Sequence, residues 1–447
     1  MKLRTMFAIL SARIVQKACR MAGRQGVTLA GKVAWKIDPG ILEKLAKQVK
    51  KETIVVCGTN GKTTTNNLLC AALEAEGKRV ICNHTGSNML YGIVTSYVLA
   101  AKVNGKLEAD YACIEIDEAS TVKVFPHLTP DYMILTNLFR DQLDRYGEID
   151  TTIEILKRAI EMVPDMKLIV NGDDALLAYL AEVSGHETNC FGVNEPVNTL
   201  LKSNEVRESG FCKKCGAKLE YEFYHYSQLG PYHCPKCDFK RPRIKYNAAD
   251  IRLENGLAFT VDGKQLEADY RGFYNVYNIL AVYSAISSLG VPVTNLEAVL
   301  QRFSPENGRN EKFRVKNTEI LLNLAKNPAG FNQNIDSVMT DTREKDLIIV
   351  INDNAQDGKD ISWLWDVDFE KIDDERVQSI VVSGIRGLDM RLRLKYANIP
   401  SVYIEDVKTA IEDRIQNGCG NLYVLVNYTA LYSAHKLLKK MEAGGKV

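Results

Sequence analysis

A chain of 447 residues is too long to fold around a single hydrophobic core, so we expect two or three domains. The 57 basic and 56 acidic residues leave a net charge of +1, which argues against a general nucleic-acid binder. No run of residues approaches the roughly 20 apolar residues that a membrane-spanning helix needs, and we expect no export signal.

The first 45 residues predict a helical segment. Lys2, Arg4, Arg13, Lys17 and Arg20 surround short apolar runs, which is typical of an amphipathic helix. We expect this segment to lie in the cytoplasm. A peripheral contact with the inner face of the membrane stays open, because basic residues flank an apolar face.

Buried-strand patterns alternate with helical patterns through most of the chain. The predicted strands are 53–57, 79–82, 111–116, 132–136, 167–170, 319–323, 346–351, 379–383, 401–404 and 422–426. Alternation of this kind indicates doubly wound α/β folding with parallel strands. We therefore predict a central α/β domain over residues 46–310 and a smaller α/β domain over residues 311–447.

A glycine-rich loop joins the first predicted strand to a helix. Its residues are Gly58, Thr59, Asn60, Gly61, Lys62, Thr63 and Thr64. Backbone N–H groups of such a loop face bound phosphate, Lys62 can reach the β- and γ-phosphates, and the Thr63 hydroxyl can hold Mg²⁺. The general P-loop begins with a glycine where this chain has Val56, so the loop is a variant of that motif. The segment predicts an ATP site.

Four cysteines interrupt the central domain at about residues 205–245. Two residues separate Cys212 from Cys215 and Cys234 from Cys237, and eighteen residues separate the pairs. This spacing predicts a four-thiolate zinc ribbon. Four protein ligands leave no open coordination position, so the zinc would be structural. We do not expect the ribbon to bind nucleic acid.

The phosphate loop resembles that of the Mur ligases and folylpolyglutamate synthases. The resemblance implies that Glu115, at the end of the third predicted strand, binds Mg²⁺ together with Thr63. Gln142 stands where the family has a metal-binding histidine, which leaves a second Mg²⁺ site open. Lys157 lies where some relatives have a carbamylated lysine, and that role also stays open.

The resemblance continues downstream. Asn275 and Asn278 resemble the family's Asn-x-x-Asn pair that meets adenine, and Arg309 resembles the arginine that touches the γ-phosphate. Many members have an Asp-Tyr-Ala-His-x-Pro segment in the third domain, whereas residues 323–328 of this chain read Asn-Leu-Ala-Lys-Asn-Pro. The missing acid and histidine argue against ligation of an ordinary amino acid.

The cysteine insertion, the Asn-Pro-Ala-Gly segment and the loop at 351–365 resemble one branch of this family, the MurT synthetase subunits of lipid II isoglutaminyl synthase. The resemblance implies a Mur-ligase-like P-loop ATPase domain carrying the zinc ribbon, followed by a Rossmann-like α/β domain. It also implies a heterodimer with a GatD-type glutaminase, to which this chain would lend an acid. We choose Asp360 for that catalytic role, with Asp353 and Asp357 as reserves. Asp360 as a helix N-cap explains the local sequence equally well.

The expected reaction is ATP-dependent amidation of the α-carboxylate of D-isoglutamate in the lipid II stem peptide, with ammonia from the partner. Two alternatives stay open. The first is a ligase of the Mur or folylpolyglutamate type that adds an amino acid. The second is a zinc-ribbon binding module without enzymatic activity, in which the nucleotide site acts as a switch.

Overall fold

Two mixed sheets organise the protein. The computed structural model describes residues 2–22, 26–84, 86–141, 148–197, 207–254, 256–269, 271–303 and 311–444. Within these residues one sheet has nine strands and the other has six, and a two-stranded ribbon stands apart. Among the described helices, none combines the length and apolar character needed to cross a bilayer.

The nine-stranded sheet forms the central part of the chain. Its strands are β1 Thr53–Cys57, β2 Val80–Cys82, β3 Tyr111–Glu115, β4 Tyr132–Leu135, β5 Lys167–Asn171, β6 Thr188–Val193, β9 Tyr246–Arg252, β10 Leu257–Val261 and β11 Lys264–Ala268. The spatial order is β11-β10-β9-β6-β5-β4-β1-β3-β2. Pairing is parallel from β9 to β2 and antiparallel between β9, β10 and β11. Helices cover both faces, as parallel strands require.

Alternate residues of β1 explain how the central sheet is buried. Val55 and Cys57 belong to the apolar cluster that includes the N-terminal helices, whereas Ile54 and Val56 belong to the cluster on the opposite face. All of β1 is buried, which fits its apolar run from Ile54 to Cys57. The helices of this part are Lys2–Met21, Val27–Ile37, Ile41–Ala46, Lys62–Ala75, Leu90–Ala100, Thr121–Val124, Ile149–Glu161, Ala175–Ser184, Tyr274–Ser288 and Leu296–Arg302, with a 3₁₀ turn at Glu118–Ser120.

The six-stranded sheet forms the C-terminal part. Its strands are β12 Glu311–Val315, β13 Thr318–Leu324, β14 Lys345–Val350, β15 Val377–Ser383, β16 Val402–Tyr403 and β17 Asn421–Val426, in the order β12-β13-β17-β14-β15-β16. Only the edge strand β12 is antiparallel to its neighbour. The helices are Pro328–Met339, Gly387–Tyr396, Val407–Gln416 and Tyr428–Glu442, with 3₁₀ turns at Ser362–Asp366 and Phe369–Ile372.

The cysteine segment forms a separate small unit. Strands β7 Glu220–Tyr221 and β8 Tyr232–His233 pair in an antiparallel ribbon. Its apolar residues form their own cluster, which includes Ala175 and Ala178 of the central part. The ribbon is therefore anchored to the helix Ala175–Ser184.

The ten predicted strands are all present, most of them within one residue of the expected bounds. Strands β6 to β12 were not predicted from the sequence. The helix expected after Asp360 is instead the short 3₁₀ turn Ser362–Asp366. Asp360 is therefore not an α-helical N-cap. Asp360 lies one residue before Ile361, the N-cap of the turn, and its carboxylate accepts the Ser362 N–H at 2.8 Å.

Candidate functional site

The phosphate loop leaves the carboxyl end of β1 and enters the helix Lys62–Ala75. Gly58 and Gly61 have φ angles of 126° and 84°, a region that favours glycine. A Cβ atom on Gly58 would lie 2.3 Å from the Thr136 hydroxyl, and one on Gly61 would lie 2.2 Å from Asn278 Oδ1. Both glycines are therefore required by the backbone and by the close neighbours.

The residues after β4 hold the loop in shape. The Thr136 hydroxyl donates to the Asn60 carbonyl at 2.8 Å, and Asn137 Oδ1 accepts the Asn60 N–H at 2.9 Å. The Thr59 N–H donates to the Asn137 carbonyl at 2.8 Å. These bonds leave the loop little freedom to rearrange, so the phosphate site is largely preformed.

Lys62 is buried at the first position of the helix. Its ammonium donates to the Gly58 carbonyl at 2.5 Å and to Glu118 Oε1 at 3.0 Å. Burial lowers the pKa of Lys62, but the carboxylates of Glu118, Asp117 and Glu115 outweigh it and raise that pKa above its ordinary value. Lys62 therefore stays a cation inside the site, where it can meet a phosphate.

Thr63 and Glu115 border one small space beside Gly86. A Cβ atom on Gly86 would lie 3.4 Å from the Thr63 hydroxyl and 3.8 Å from Glu115 Oε2. Asn88 donates to Glu115 Oε1 at 3.0 Å, whereas the buried Oε2 has no hydrogen-bond partner among the described residues. Asn83 fixes the backbone of Glu115 on both sides, at 2.8 and 2.9 Å. A free carboxylate oxygen facing a hydroxyl fits a Mg²⁺ site.

Asn275 and Asn278 lie one turn apart on the helix Tyr274–Ser288 and are both buried. Asn278 Nδ2 donates to Asn275 Oδ1 at 3.0 Å, and the Thr65 hydroxyl donates to Asn278 Oδ1 at 3.4 Å. Asn278 thus contacts the phosphate loop and the start of its helix.

Two residues named from the sequence lie outside the described residues. They are Arg309, expected at the γ-phosphate, and Gln142, which replaces a metal-binding histidine. Lys157 is half-buried on the helix Ile149–Glu161.

The sulfur atoms of Cys212, Cys215, Cys234 and Cys237 all lie within 4.8 Å of one another. Cys212 and Cys237 are 3.6 Å apart, and Cys215 and Cys234 are 3.4 Å apart. A tetrahedral zinc ion with bonds of about 2.3 Å separates its sulfurs by about 3.8 Å. The four thiols could therefore hold one zinc ion with small adjustments.

Three basic side chains beside the four cysteines contact carboxylates. His233 Nε2 lies 3.3 Å from Glu220, so it points to a carboxylate. Lys213 and Lys214 pair at 2.5 Å with Asp150 and Glu182, which lie on helices of the central part. These lysines anchor the ribbon to the protein.

The three aspartates of the loop after β14 differ in availability. Asp353 is buried against Arg386, whose Nη2 lies 2.9 Å away. Asp357 is buried and accepts the N–H and hydroxyl of Thr429. Asp360 is half-exposed, and hydrogen bonds from Ser362 lower the pKa of its carboxyl group. Asp360 is therefore an ionised acid with one oxygen committed locally to Ser362.

Sequence reasoning missed two partners of the loop. Glu118 was not singled out, although it follows Glu115 in the stretch Glu-Ile-Asp-Glu at the end of β3. Asn327 forms a reciprocal amide pair with Asn60, at 3.1 and 3.3 Å, across 267 residues of sequence. No local sequence pattern predicts such a contact, because the contact depends on how the two parts of the chain pack.

Comparison with known proteins places this site in a family. Residues 56–286 match the Mur ligase middle domain, and residues 324–431 match the MurT ligase C-terminal family. The chain is 35% identical over 441 residues to the lipid II isoglutaminyl synthase (glutamine-hydrolyzing) subunit MurT of Staphylococcus aureus, covering 98% of this chain and 99% of that protein. The corresponding subunit of Streptococcus pneumoniae is 34% identical, with 98% of each chain covered.

Solved structures of Mur-type ligases share the fold. A pseudomurein peptide ligase type C from Methanothermus fervidus matches with a TM-score of 0.67 and 23% identity, over 88% of this chain and 79% of that one. MurF from Acinetobacter baumannii matches with the same TM-score and 15% identity, over 92% and 80%. The expected Mur-ligase-like α/β fold with a C-terminal α/β domain is confirmed. By its similarity along nearly its whole length, the chain belongs to the MurT family of Mur-ligase-like proteins.

Proposed function

We propose that this chain is the synthetase subunit of a glutamine-dependent amidotransferase in peptidoglycan synthesis. It would use ATP to activate the α-carboxylate of D-isoglutamate in the lipid II stem peptide, and ammonia would convert that group to D-isoglutamine. The observation that carries the proposal is that Lys62, Thr63 and Glu115 lie together at the carboxyl ends of the parallel strands β1 and β3, in a chain of the MurT family.

The loop supplies the groups that phosphoryl transfer needs. Backbone N–H groups and Lys62 would hold the β- and γ-phosphates, and Thr63 with Glu115 would hold Mg²⁺. Mg²⁺, when bound, neutralises charge on the transferring phosphoryl group. Glu118 keeps Lys62 charged and aimed into the loop before nucleotide arrives. We also assign Asn275 and Asn278 to the adenine end of the site, and Arg309 to the γ-phosphate.

The chemistry proceeds in two balanced steps. A carboxylate oxygen attacks the γ-phosphorus of ATP, which gives an acyl phosphate and ADP. Ammonia then attacks the acyl carbon, the C–O bond to phosphate breaks, and inorganic phosphate and a proton leave with the amide formed. Ammonia can attack the acyl phosphate because phosphate is a good leaving group, whereas a free carboxylate has none.

The C-terminal segment supports ammonia over an amino acid as the nitrogen donor. Asn323 donates to Asn334 at 2.5 Å, and Asn327 caps the helix Pro328–Met339 by accepting the Gly330 N–H at 2.8 Å. Where relatives that ligate amino acids have an acid and a histidine, this chain has Asn323, whose amide makes a structural hydrogen bond, and Lys326, whose ammonium bonds to Asp141. The carboxylate that could pair with the ammonium of an incoming amino acid is therefore missing at position 323.

An exposed apolar patch beside the aspartate loop suits a partner subunit. It consists of Trp365, Ile385, Leu388, Leu392 and Tyr396, each 47% to 70% exposed. The Ile385 N–H donates to Asn352 Oδ1 at 3.0 Å, which fixes the patch against the loop. Contiguous apolar surface of this kind marks protein interfaces. We propose that a GatD-type glutaminase docks here and receives Asp360 beside its catalytic histidine.

The four cysteines are proposed to hold structural zinc, since their sulfur separations suit a closed tetrahedral site. The reaction is proposed to take place at the inner face of the membrane, where ATP and a lipid-linked acceptor are both present.

The purified chain with ATP, Mg²⁺, lipid II and free ammonium tests the assignment. Amidated lipid II and an equal amount of ADP are expected without any glutaminase. A product that contains an added amino acid, formed when amino acids replace ammonium, would establish the alternative ligase function. ATP binding without ADP formation for any acceptor would support the binding-module alternative.

A further inference from the structure

The first helix, Lys2–Met21, has an exposed apolar face that does not pack against the core. Leu3, Phe7, Leu10, Ile14 and Met21 are 45% to 82% exposed. Their spacing of three, four or seven residues puts them on one side of a helix. Ala8, Ile9 and Ala12 are fully buried. At about 100° per residue the exposed and buried faces are roughly opposite.

The helix is fixed on the protein with this face outward. Arg13 donates to the carbonyls of Leu99 and Ala101 at 3.2 and 2.5 Å, and Arg4 donates to the Ile37 carbonyl. Thr5 donates to Asp38 at 2.7 Å. These bonds set the rotation of the helix, so the apolar face cannot simply turn inward.

The charge around this face has a single sign. The first 37 residues contain eight lysines and arginines and no acidic residue. The remaining 410 residues hold 49 basic and 56 acidic residues, a net charge of −7. Lys17, Arg20, Lys32 and Lys36 are exposed. The basic excess of a protein of otherwise balanced charge therefore lies in a segment that also exposes an apolar stripe.

We infer that the helix Lys2–Met21 is a docking surface for an anionic lipid bilayer. The apolar face would enter the boundary between headgroups and acyl chains, while the surrounding lysines and arginines would pair with lipid phosphates. The charge selects this occupant, since a second copy of the helix would bring like charges together. This inference deepens the proposed function, because a surface-bound enzyme searches for its lipid-linked acceptor in two dimensions.

Cosedimentation with vesicles tests the inference without nucleotide or acceptor. The intact chain should bind vesicles of phosphatidylglycerol and phosphatidylcholine, and should bind phosphatidylcholine alone far more weakly. F7S/I14S should lower the partition coefficient about tenfold or more, because two apolar side chains no longer enter the bilayer. K17E/R20E should lower binding only to the anionic vesicles. Both pairs are exposed, so thermal unfolding should be unchanged.

The matched control is I385S/L388S, an equally exposed apolar pair in the C-terminal part. It should retain vesicle binding in full. Equal binding by F7S/I14S and the intact chain would overturn the inference, as would a dimer in solution that F7S/I14S dissociates. Amidation of detergent-dispersed lipid II with ammonium should be unaffected in F7S/I14S. Loss of vesicle binding and loss of the proposed activity are thus separate results.

Discussion

Lys62 is the residue on which the proposed nucleotide site depends most. Lys62 is buried, and in an apolar pocket burial would favour its neutral form. The carboxylate of Glu118, with Oε1 3.0 Å from the ammonium nitrogen, favours the charged form instead. An arriving phosphate would compete with Glu118 for the same ammonium. Lys62 can therefore exchange the carboxylate of Glu118 for a phosphate. A buried ion pair of this kind adds little to stability but suits a binding site.

Replacing Lys62 by alanine should lower ammonia-dependent amidation by at least about 1,000-fold, because the transferring phosphoryl group loses its cation. Glutamine hydrolysis by the assembled complex should be largely intact. The measurement is amide formation with ammonium, beside glutamate release with glutamine.

The control addresses folding, because Lys62→Ala leaves Glu118 buried without its partner, at a cost of about 3–5 kcal/mol. The double variant K62A/E118Q removes that charge and should regain thermal stability without regaining amidation. Amidation at the intact rate in a folded Lys62 variant would contradict the role given to this lysine.

Asp360 differs from its neighbours because it is neither buried nor paired with an arginine. Its ordinary local role is to accept the Ser362 N–H. A carboxylate in this state can also orient a histidine of a partner and stabilise its protonated form.

Asp360→Ala should reduce glutamine hydrolysis by the complex on the order of 100-fold or more, while ammonium-dependent amidation stays near normal. Asp360→Asn separates the two roles, because asparagine caps turns as well as aspartate but carries no charge. Equal defects in both variants support the shared acid. Full hydrolysis by the asparagine variant would assign Asp360 to capping alone.

At the scale of elements, the cysteine ribbon is too small to be stable on its apolar contacts alone. Its two strands have two residues each. A metal ion would supply the cross-link that the small cluster lacks.

Purified protein should contain one zinc ion per chain, and chelation should lower the melting temperature by roughly 5 °C or more. Cys234→Ser should lose the metal, whereas Cys419→Ser, at a half-buried cysteine of the C-terminal part, should retain it. Metal analysis and thermal unfolding give the readout. Full zinc content in Cys234→Ser would rule out this site.

His225 links the ribbon segment to the core through rings of Phe223, Phe273 and Tyr277. Burial lowers the pKa of His225 below 6.5 in the folded protein. The unfolded chain therefore binds the proton more tightly, so this contribution to stability is present above about pH 6.5 and is lost as pH falls through the folded-state pKa.

Between pH 7.5 and 5 the free energy of unfolding should fall more for the intact chain than for His225→Gln, by about 1 kcal/mol. Denaturant titrations at the two pH values measure the difference. Identical pH dependence in the two proteins would show that folding does not change the pKa of His225.

Strands and the phosphate loop could be predicted because local sequence determines them. β1 is an unbroken apolar run, and Gly58 and Gly61 stand where φ is positive. Strands β9 and β12 could not be predicted as readily, because they alternate between buried and exposed residues and resemble loops in composition. The helix predicted after Asp360 is a 3₁₀ turn of five residues, and the local sequence does not distinguish the two.

Contacts distant in sequence set the remainder of the site. Lys62 with Glu118, and Asn60 with Asn327, are pairs that only the packed chain brings together. The sequence predicts the residues that would bind phosphate, but not those that hold them in place.

At the scale of the whole molecule, the central and C-terminal parts contact each other beside the phosphate loop. Besides the Asn60–Asn327 pair, Lys326 bonds to Asp141, Arg140 pairs with Asp366, and Arg271 lies 3.2 Å from Asp341. The C-terminal part thus contacts the loop proposed to bind nucleotide, and it carries the acid and the patch proposed for the partner. One chain would connect nucleotide, acceptor and nitrogen source.

The central claim is that a carboxylate of the acceptor is activated by phosphorylation before nitrogen arrives. Lipid II with ¹⁸O in the α-carboxylate of its D-isoglutamate, amidated by this chain with ATP and ammonium, tests it directly. An acyl phosphate requires one ¹⁸O atom to appear in inorganic phosphate for each amide formed. Amide formation with no ¹⁸O in the phosphate would contradict the account.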